Sequence, residues 1–293
     1  MANTRELRRR IKSVKNTAQI TKAMQMVAAT KMKRAQNQAL SGRPYSDTLS
    51  QSLANLLPNI QSEHALLAPN GVTQKSLVVL STNKALCGAL NTNLFRGISA
   101  SHLSSGNVKF FSVGLKAKNF VIQNNFTLEG DFENTEVVMF NRAKKIADLV
   151  IQAYLEKVIG EVYLAYPHFV STLRQEPRIV KLLPISEDHL RGEGSLISNA
   201  HLGGVGLVSE FLFEPNADQL LDFVLTHQVE TQIYQALLET KASEHSARMM
   251  AMQNATDNAK DLVESLNLTY NKTRQDAITA ELLEITSAGL ALE

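Results

Sequence analysis

The stretch PNADQLLDFVLTHQVETQIYQALLETKASEHSARMMAMQNATDNAKDLVESLNLTYNKTRQDAITAELLEITSAGLALE, residues 215–293, decides the fold. After Pro215 it holds no proline and one glycine, Gly289, and Ala, Leu, Met, Gln and Glu dominate it. These are good helix formers. Read as one helix, it reaches about 120 Å at a rise of about 1.5 Å per residue. That is far beyond the usual three or four turns, and no compact core can bury it. It needs an equally long partner, and the first forty residues are the only other candidate. The two ends of the chain are therefore expected to pair as a shaft, with a folded domain inserted between them.

The charge distribution suits such a pairing. Residues 1–43 hold eleven Lys/Arg and one acid, Glu6, whereas from Glu210 onward fourteen acids face five bases. The net charge of the 293 residues is only +2, so a basic end is balanced by an acidic remainder. Opposite ends of opposite sign fit two helices lying together, or separate partners. With 44% hydrophobic and 20% charged residues, the composition is that of one or two ordinary globular domains. A single cysteine, Cys87, excludes an internal disulfide and fits a reducing compartment. No run of eighteen apolar residues exists, so no transmembrane segment is expected. The start is charged from Arg5 onward and has no apolar core, which argues against a secretory signal.

Residues 4–40 read as a helix capped by Thr4. Leu7, Ile11, Val14 and Ala18 recur at the 4-3-4 spacing of a two-helix seam. That register then meets Thr21 and Gln25, while Met24, Val27, Ala28, Met32 and Ala35 carry an apolar stripe onward. Gly42 and Pro44 predict a bend or break, Tyr45 to Leu57 a second helical piece, and Pro58 and Pro69–Gly71 loops. Leu77–Leu80 and Val108–Val113 read as strands. Helical patterns cover 86–103, 116–122 and 142–157, and 161–170 with 178–184 read as a hairpin along the sheet's edge. The alternation predicts an α/β domain with a parallel sheet of five or six strands. Residues 188–206 read as a loop into the last helix. In that helix His245, Met249, Met252, Thr256, Ala259, Val263, Leu266 and Tyr270 form a seam. It is expected to shift to Ile278, Leu282 and Ile285, a change of supercoil. The division is then 1–60 (N-terminal shaft helix), 75–205 (inserted domain) and 210–293 (C-terminal shaft helix).

Residues capable of chemistry are few. Cys87 follows a strand and turn and precedes a helix, and His64 and His102 are the nearest bases in sequence. A lone Cys beside Leu86 and Ala89 reads as a small buried hydrophobe rather than a hydrolase nucleophile. Gly203–Gly206 lacks the Lys-Ser/Thr ending of a phosphate loop and the third glycine of a dinucleotide loop, so it reads as linker. His227 and Glu230 stand three apart on a helix, but a dimetal site requires that motif twice plus two more Glu. No catalytic, cofactor-binding or metal-ligating residue is expected. The basic N-terminal run permits a second reading, a nucleic-acid-binding coiled-coil protein. Stacking aromatics and recognised groove-binding motifs are absent from it, and the acidic last helix favours a protein partner.

Several separated motifs resemble one family in order and over nearly the whole chain: the gamma subunit of F-type ATP synthases. They include Arg9-Arg10-Ile11-Lys12-Ser13-Val14-Lys15-Asn16-Thr17, and the run from Ile20 to Met32. Leu86-Cys87-Gly88 with Asn91 is similar to the family's Asp-Arg/Lys-Gly-Leu-Cys-Gly turn, with Asn83 and Ala85 replacing its Asp and Gly. Phe213-Glu214-Pro215, Ala242 to Met252 with Asn254-Ala255-Thr256, Tyr270 to Gln275, and Ile278 to Glu281 with Glu284 complete the match. One departure is Ala288-Gly289, where the family usually reads Gly-Ala.

The resemblance implies an antiparallel coiled coil of the two termini with an inserted Rossmann-like α/β domain. It also implies a rotor in the central stalk, coupling proton-driven rotation of a membrane c-ring to the conformational cycle of the catalytic beta subunits. The implied partners are the alpha and beta subunits of the hexamer, the epsilon subunit and the c-ring. The implied location is the cytoplasmic face of a bacterial plasma membrane, as a peripheral subunit with no active site and no cofactor. By position, Met24, Lys31, Arg274, Gln275 and Thr279 correspond to family residues at the rotor–stator contact. Arg248, Glu281 and Glu284 correspond to others tied to coupling or coil packing.

Overall fold

The computed structural model describes residues 2–56, 64–103, 108–185 and 217–290. In chain order these form α1 (Ala2–Leu56), β1 (Lys75–Leu80), α2 (Leu90–Ala100), β2 (Val108–Val113) and α3 (Leu115–Gln123). Then follow β3 (Thr127–Phe132), α4 (Phe140–Leu155), β4 (Glu161–Phe169), β5 (Gln175–Leu183) and α5 (Ala217–Leu290). The chain divides into two compact units, Met1–Ala29 with Arg248–Glu293, and Thr30–Ala247. The loop expected over 188–206 with its Gly203–Gly206 stretch, the Phe213–Pro215 motif, and the expected loop at Pro58 lie outside the described residues.

In the first unit α1 and α5 run antiparallel, with Thr21 opposite Thr256 and Gln25 opposite Gln253. Ile11 and Ala28 of α1 are buried, and Leu7, Val14, Ala18, Thr21 and Gln25 half-buried. From α5, Met252, Thr256 and Ala259 are buried, and Val263, Leu266, Tyr270, Thr273 and Ala277 half-buried. Both series keep 4-3 spacing, as knobs-into-holes packing requires. Two expectations are corrected here. Val27 is exposed, because the α1 register runs on through polar Thr21 and Gln25 instead of stepping aside. The shift to Ile278, Leu282 and Ile285 does not occur either: Leu282 is 57% and Ile285 67% exposed. The seam holds its face through Thr273 and Ala277, small residues that let the helices stay close.

The second unit is built on a five-stranded sheet of order β3-β2-β1-β4-β5. β1 is parallel to β2 and β4, β2 is parallel to β3, and β5 is antiparallel to β4. Alternate residues of β1 serve opposite faces. Leu77 and Val79 pack with Leu94 and Ile98 of α2 and Ala117 and Val121 of α3. Val78 and Leu80 face α4, through Ile146 and Val150, together with Leu53 of α1 and Leu225, Val229 and Ile233 of α5. The long helices thus supply part of the domain's third layer. The expected hairpin is present, but only β5 lies at the edge, since β4 pairs on both sides.

β3 escapes sequence reading because Thr127-Leu128-Glu129-Gly130-Asp131-Phe132 carries two acids and a glycine. As an edge strand it is only half-buried. Its acids are held by Lys109 (2.7 Å to Glu129) and Lys118 (2.8 Å to Asp131) from neighbouring elements. The expected break at Gly42 and Pro44 is also absent: α1 is continuous through both. A proline inside a helix costs about 3 kcal/mol in isolation. Here the turns around it are fixed by packing. Gln235 of α5 donates to the Ala39 carbonyl at 3.1 Å and Gln228 to the Ser50 hydroxyl at 2.7 Å. Gly42 admits that approach, since a Cβ there would lie 3.1 Å from Gln235 Oε1.

At the lower edge of the sheet Asn70 acts as a staple. Its amide donates to the carbonyls of Tyr154 (3.1 Å) and Ile159 (2.8 Å), and its Oδ1 accepts from the Val72 amide (3.1 Å). Gly160 lets this loop close, because a Cβ there would sit 1.7 Å from the Val72 carbonyl oxygen. Gly160→Ala is expected to destabilise this unit by roughly 3 kcal/mol, read as a lower urea midpoint followed by tyrosine fluorescence. Beside it, Glu161 accepts from Lys181 (2.7 Å) and from the Tyr163 hydroxyl (3.1 Å). Burial pushes the Glu161 carboxyl up, but these hydrogen bonds and the charges of Lys181 and Lys75 outweigh it and hold the carboxyl below its usual range. A carboxylate with a lowered folded pKa stabilises above its unfolded pKa and loses that contribution as pH falls through the folded value. The urea midpoint should therefore drop on acidification below about pH 5, and Glu161→Gln should flatten that part of the profile.

Candidate functional site

The first unit offers a paired-helix surface rather than a cavity. Its seam mixes Ala, Thr and Gln with larger apolar residues such as Ile11, Val14, Met252 and Leu266, and two of its described layers are polar. Thr21 and Thr256 hydroxyls meet at 2.8 Å, and the Gln25 amide reaches Gln253 Oε1 at 3.5 Å. Small side chains bury little area each, so the pair is held by burial summed along its length rather than by any one contact.

Beyond this seam α5 presents a long free flank. Arg274, Gln275, Thr279, Glu281 and Glu284, spread around this end of the helix, are all exposed. Thr279 donates its hydroxyl to the Gln275 carbonyl at 3.0 Å, a pattern repeated by Thr273 onto Thr269 and Thr286 onto Leu282. These hydroxyls are satisfied within the helix, so the flank carries no strongly committed anchor. Interleaved with them, Ile278, Leu282, Leu283 and Ile285 are exposed apolar residues. Exposed apolar residues clustered on one helix end mark an interaction surface. That surface was visible in the sequence, but its residues were read as seam. Met24 on α1 is half-buried in the same unit, and Arg248, where this unit's share of α5 begins, is half-buried too.

Lys31 belongs to the second unit and is tied within the chain. Its ammonium lies 2.7 Å from Glu136, in the loop before α4, and His245 Nε2 approaches the same carboxylate at 3.6 Å. The hydrogen bond from Lys31 holds the Glu136 carboxyl below its usual range against burial, helped by the charges of His245, Lys31 and Lys241. The structure thus brings Arg274, Gln275, Thr279, Glu281 and Glu284 together on one helix end. Met24 and Arg248 share that unit, whereas Lys31 stands apart in the other.

The remaining candidates have structural partners. Cys87 is buried in the turn after β1, where Asn91 donates to its sulfur at 3.4 Å and the Thr82 hydroxyl lies 3.9 Å away. Asn91 also donates to Thr82 Oγ1 at 2.8 Å, so the turn is a closed hydrogen-bonded knot. Leu86 (φ 65°) and Gly88 (φ 58°) flank the cysteine in left-handed conformations. His64 pairs with Asp222 at 3.3 Å, and His102 stands edge-on to the Tyr163 ring. His227 bridges Glu230 (3.1 Å) and the Tyr45 hydroxyl (2.8 Å), tying α1 to α5. Among the described residues no cluster of three or more His, Cys, Asp or Glu has metal-binding geometry, and no helix is long and apolar enough to cross a membrane.

Comparison with known proteins agrees with this arrangement. The family model described as ATP synthase matches residues 3–292. The ATP synthase gamma chain of Methylacidiphilum infernorum is 44% identical over 298 residues, covering 100% of both chains. Among solved structures, a chain of the Tetrahymena thermophila mitochondrial ATP synthase central stalk and c-ring is 25% identical, with a TM-score of 0.60, covering 80% of this chain and 99% of that one. A chain of the Euglena gracilis mitochondrial ATP synthase superposes with a TM-score of 0.71 at 22% identity, covering 99% and 95%, a likeness of fold. By its full-length match in sequence and its paired terminal helices around an α/β insert, the chain belongs to the ATP synthase gamma-chain family.

Proposed function

We propose that this chain is the central-stalk rotor of an F-type ATP synthase. It would turn with a membrane c-ring and drive the beta subunits of a catalytic hexamer through their open and closed states. The full-length match to a gamma chain carries this reading. The structural neighbour from a central stalk with its c-ring supports it. Under this reading the basic N-terminal run meets protein rather than nucleic acid.

The physics asked of such a part is modest in chemistry and demanding in shape. A rotor shifts a partner's equilibrium only through contacts that differ between the partner's states. One flank of α5 bears Arg274, Gln275 and Thr279 beside Ile278 and Leu282, and so differs from the seam side all along its length. We assign Met24, Lys31, Arg274, Gln275 and Thr279 to the rotor–stator contact, and Arg248, Glu281 and Glu284 to coupling or coil packing. Single exposed ion pairs contribute about 0–1 kcal/mol, so Glu281 and Glu284 act through the summed surface rather than through one bond. Lys31 reaches a partner's acid only by exchanging its own Glu136, an internal competitor that keeps the contact weak and reversible.

The inserted domain is the proposed seat of the epsilon subunit and the c-ring. The chain is then a non-catalytic, cofactor-free peripheral subunit on the cytoplasmic face of a bacterial plasma membrane. The proposed division is a shaft from residues 1–60 and 210–293 and an insert over 75–205.

Reconstitution with alpha and beta subunits from a close relative is the direct test. Hydrolysis of ATP should become coupled to rotation only when the chain is present, and the isolated chain should neither hydrolyse nor tightly bind ATP. A chain that fails to co-purify with the hexamer, or binds DNA with steep salt dependence instead, is not this rotor. Removing residues 274–293 should lower coupling while leaving the unfolding transition of the inserted domain in place. Loss of both together would mean that shaft and insert are not separable.

A further inference from the structure

One segment of α5 differs from the rest of the helix. Residues 239–246 are all buried, although most of them are polar or charged. The fully buried run begins at Gln235, and from Met252 onward buried or half-buried positions alternate with exposed ones, as in any two-helix seam. Over 239–246 the helix is enclosed on every side.

Its partners come chiefly from the β4–β5 hairpin. Glu239, with no exposed surface, is paired with Nδ1 of His168 on β4. Ser243 donates to the Pro167 carbonyl at 2.9 Å, one residue earlier on the same strand. One turn further along, Ser246 donates to the Thr172 carbonyl at 2.6 Å, and Gln175 donates to Ser246 Oγ at 3.3 Å. Ala242 packs with Phe169 of the hairpin and Ala35 of α1. On another side His245 faces Glu136, which is held in turn by Lys31. The hairpin, α1 and the loop before α4 thus form a collar around two turns of α5.

A collar made this way resists a particular motion. Apolar packing anchors a helix by steric interlock, but its attraction is non-directional and singles out one orientation less sharply than hydrogen bonds do. Buried hydrogen bonds are directional, and breaking one without water to replace it leaves an unsatisfied group. Glu239, Ser243 and Ser246 point at fixed carbonyls and a ring nitrogen on one hairpin. Rotation of α5 about its axis, or a slide along it, would break all of these bonds at once.

We infer that the collar is the keyed joint through which the inserted domain grips the shaft. His168, Glu239, Ser243 and Ser246 are positioning residues: they hold domain and helix as one body so that torque applied to the domain reaches the far end of α5 without slip. The inference rests on the rotor reading given above and adds to it the place where torque crosses from insert to shaft.

The test uses the assembled synthase containing this chain, in sealed vesicles, measuring ATP hydrolysis and ATP-driven proton pumping side by side. The unaltered chain must first support pumping; if it does not, the rotor reading itself has failed and the joint is not at issue. In S243A/Q175A, which removes hydrogen bonds without stranding a charge, hydrolysis is expected to stay within about twofold while protons pumped per ATP fall about fivefold or more. Pumping per ATP that stays at the unaltered level would overturn the proposal. A second variant does not depend on loosening the fold. T172C/S246C, oxidised to a disulfide across the collar, should pump at least as well as its reduced form, which lacks the Ser246 hydroxyl bonds, since a keyed joint never opens during turnover. A large loss of pumping on oxidation, reversed by reductant, would show that the collar must move, and the proposal would be wrong.

Discussion

The structure depends on the antiparallel pairing of α1 with α5. A helix of 74 residues has little means of its own to stay helical, since helix propensity contributes only tenths of a kcal/mol per residue. It is held by a face that repeats every seven residues against a matching face on α1. The face mixes Ala and Thr with larger residues such as Leu7, Ile11, Met252 and Leu266. The outer side of the pair stays free along most of its length, and its exposed apolar residues gather toward the C-terminal end of α5.

The same two helices change role along their length. In the unit of Thr30–Ala247 they are no longer a free pair but part of a layer. Leu53, Leu225, Val229 and Ile233 complete the core under the sheet, on the face where α4 also packs. Between that greasy layer and the free seam lies the polar segment 239–246. Three environments thus follow one another on a single uninterrupted helix: apolar layer, polar collar, two-helix seam. Each suits a different mechanical demand, namely anchorage, fixed orientation and pairing along a length.

Polar groups are the recurring specificity device. Thr21 against Thr256 and Gln25 against Gln253 mark the register of the seam. A polar residue at a seam position lowers stability but penalises every other alignment, because a shifted partner leaves it unsatisfied. Asn70 and Asn134 do similar work in the loops around the sheet, each joining backbone groups of segments far apart in sequence. Asn134, for instance, donates to the Ser81 carbonyl while its own carbonyl accepts from Asn83 at 2.7 Å.

Much of this was legible in the residues themselves. The length and composition of the last segment demanded a partner helix, the basic start supplied it, and β1, β2 and the β4–β5 hairpin announced themselves by apolar runs and turn residues. These signals are local, set by propensity and period. What only the tertiary structure decided is whatever depends on a distant partner. α1 passes unbroken through Gly42 and Pro44 because Gln228 and Gln235 of α5 brace it. β3 is a strand although it carries two acids, because it pairs with β2 while Lys109 and Lys118 donate to its carboxylates. Ile278, Leu282 and Ile285 are surface, not seam, because Thr273 and Ala277 keep the contact face. Lys31 is met first by its own Glu136. Pattern along a chain states which residues prefer burial, but which of two adequate faces is buried is settled by the geometry of the element lying against it.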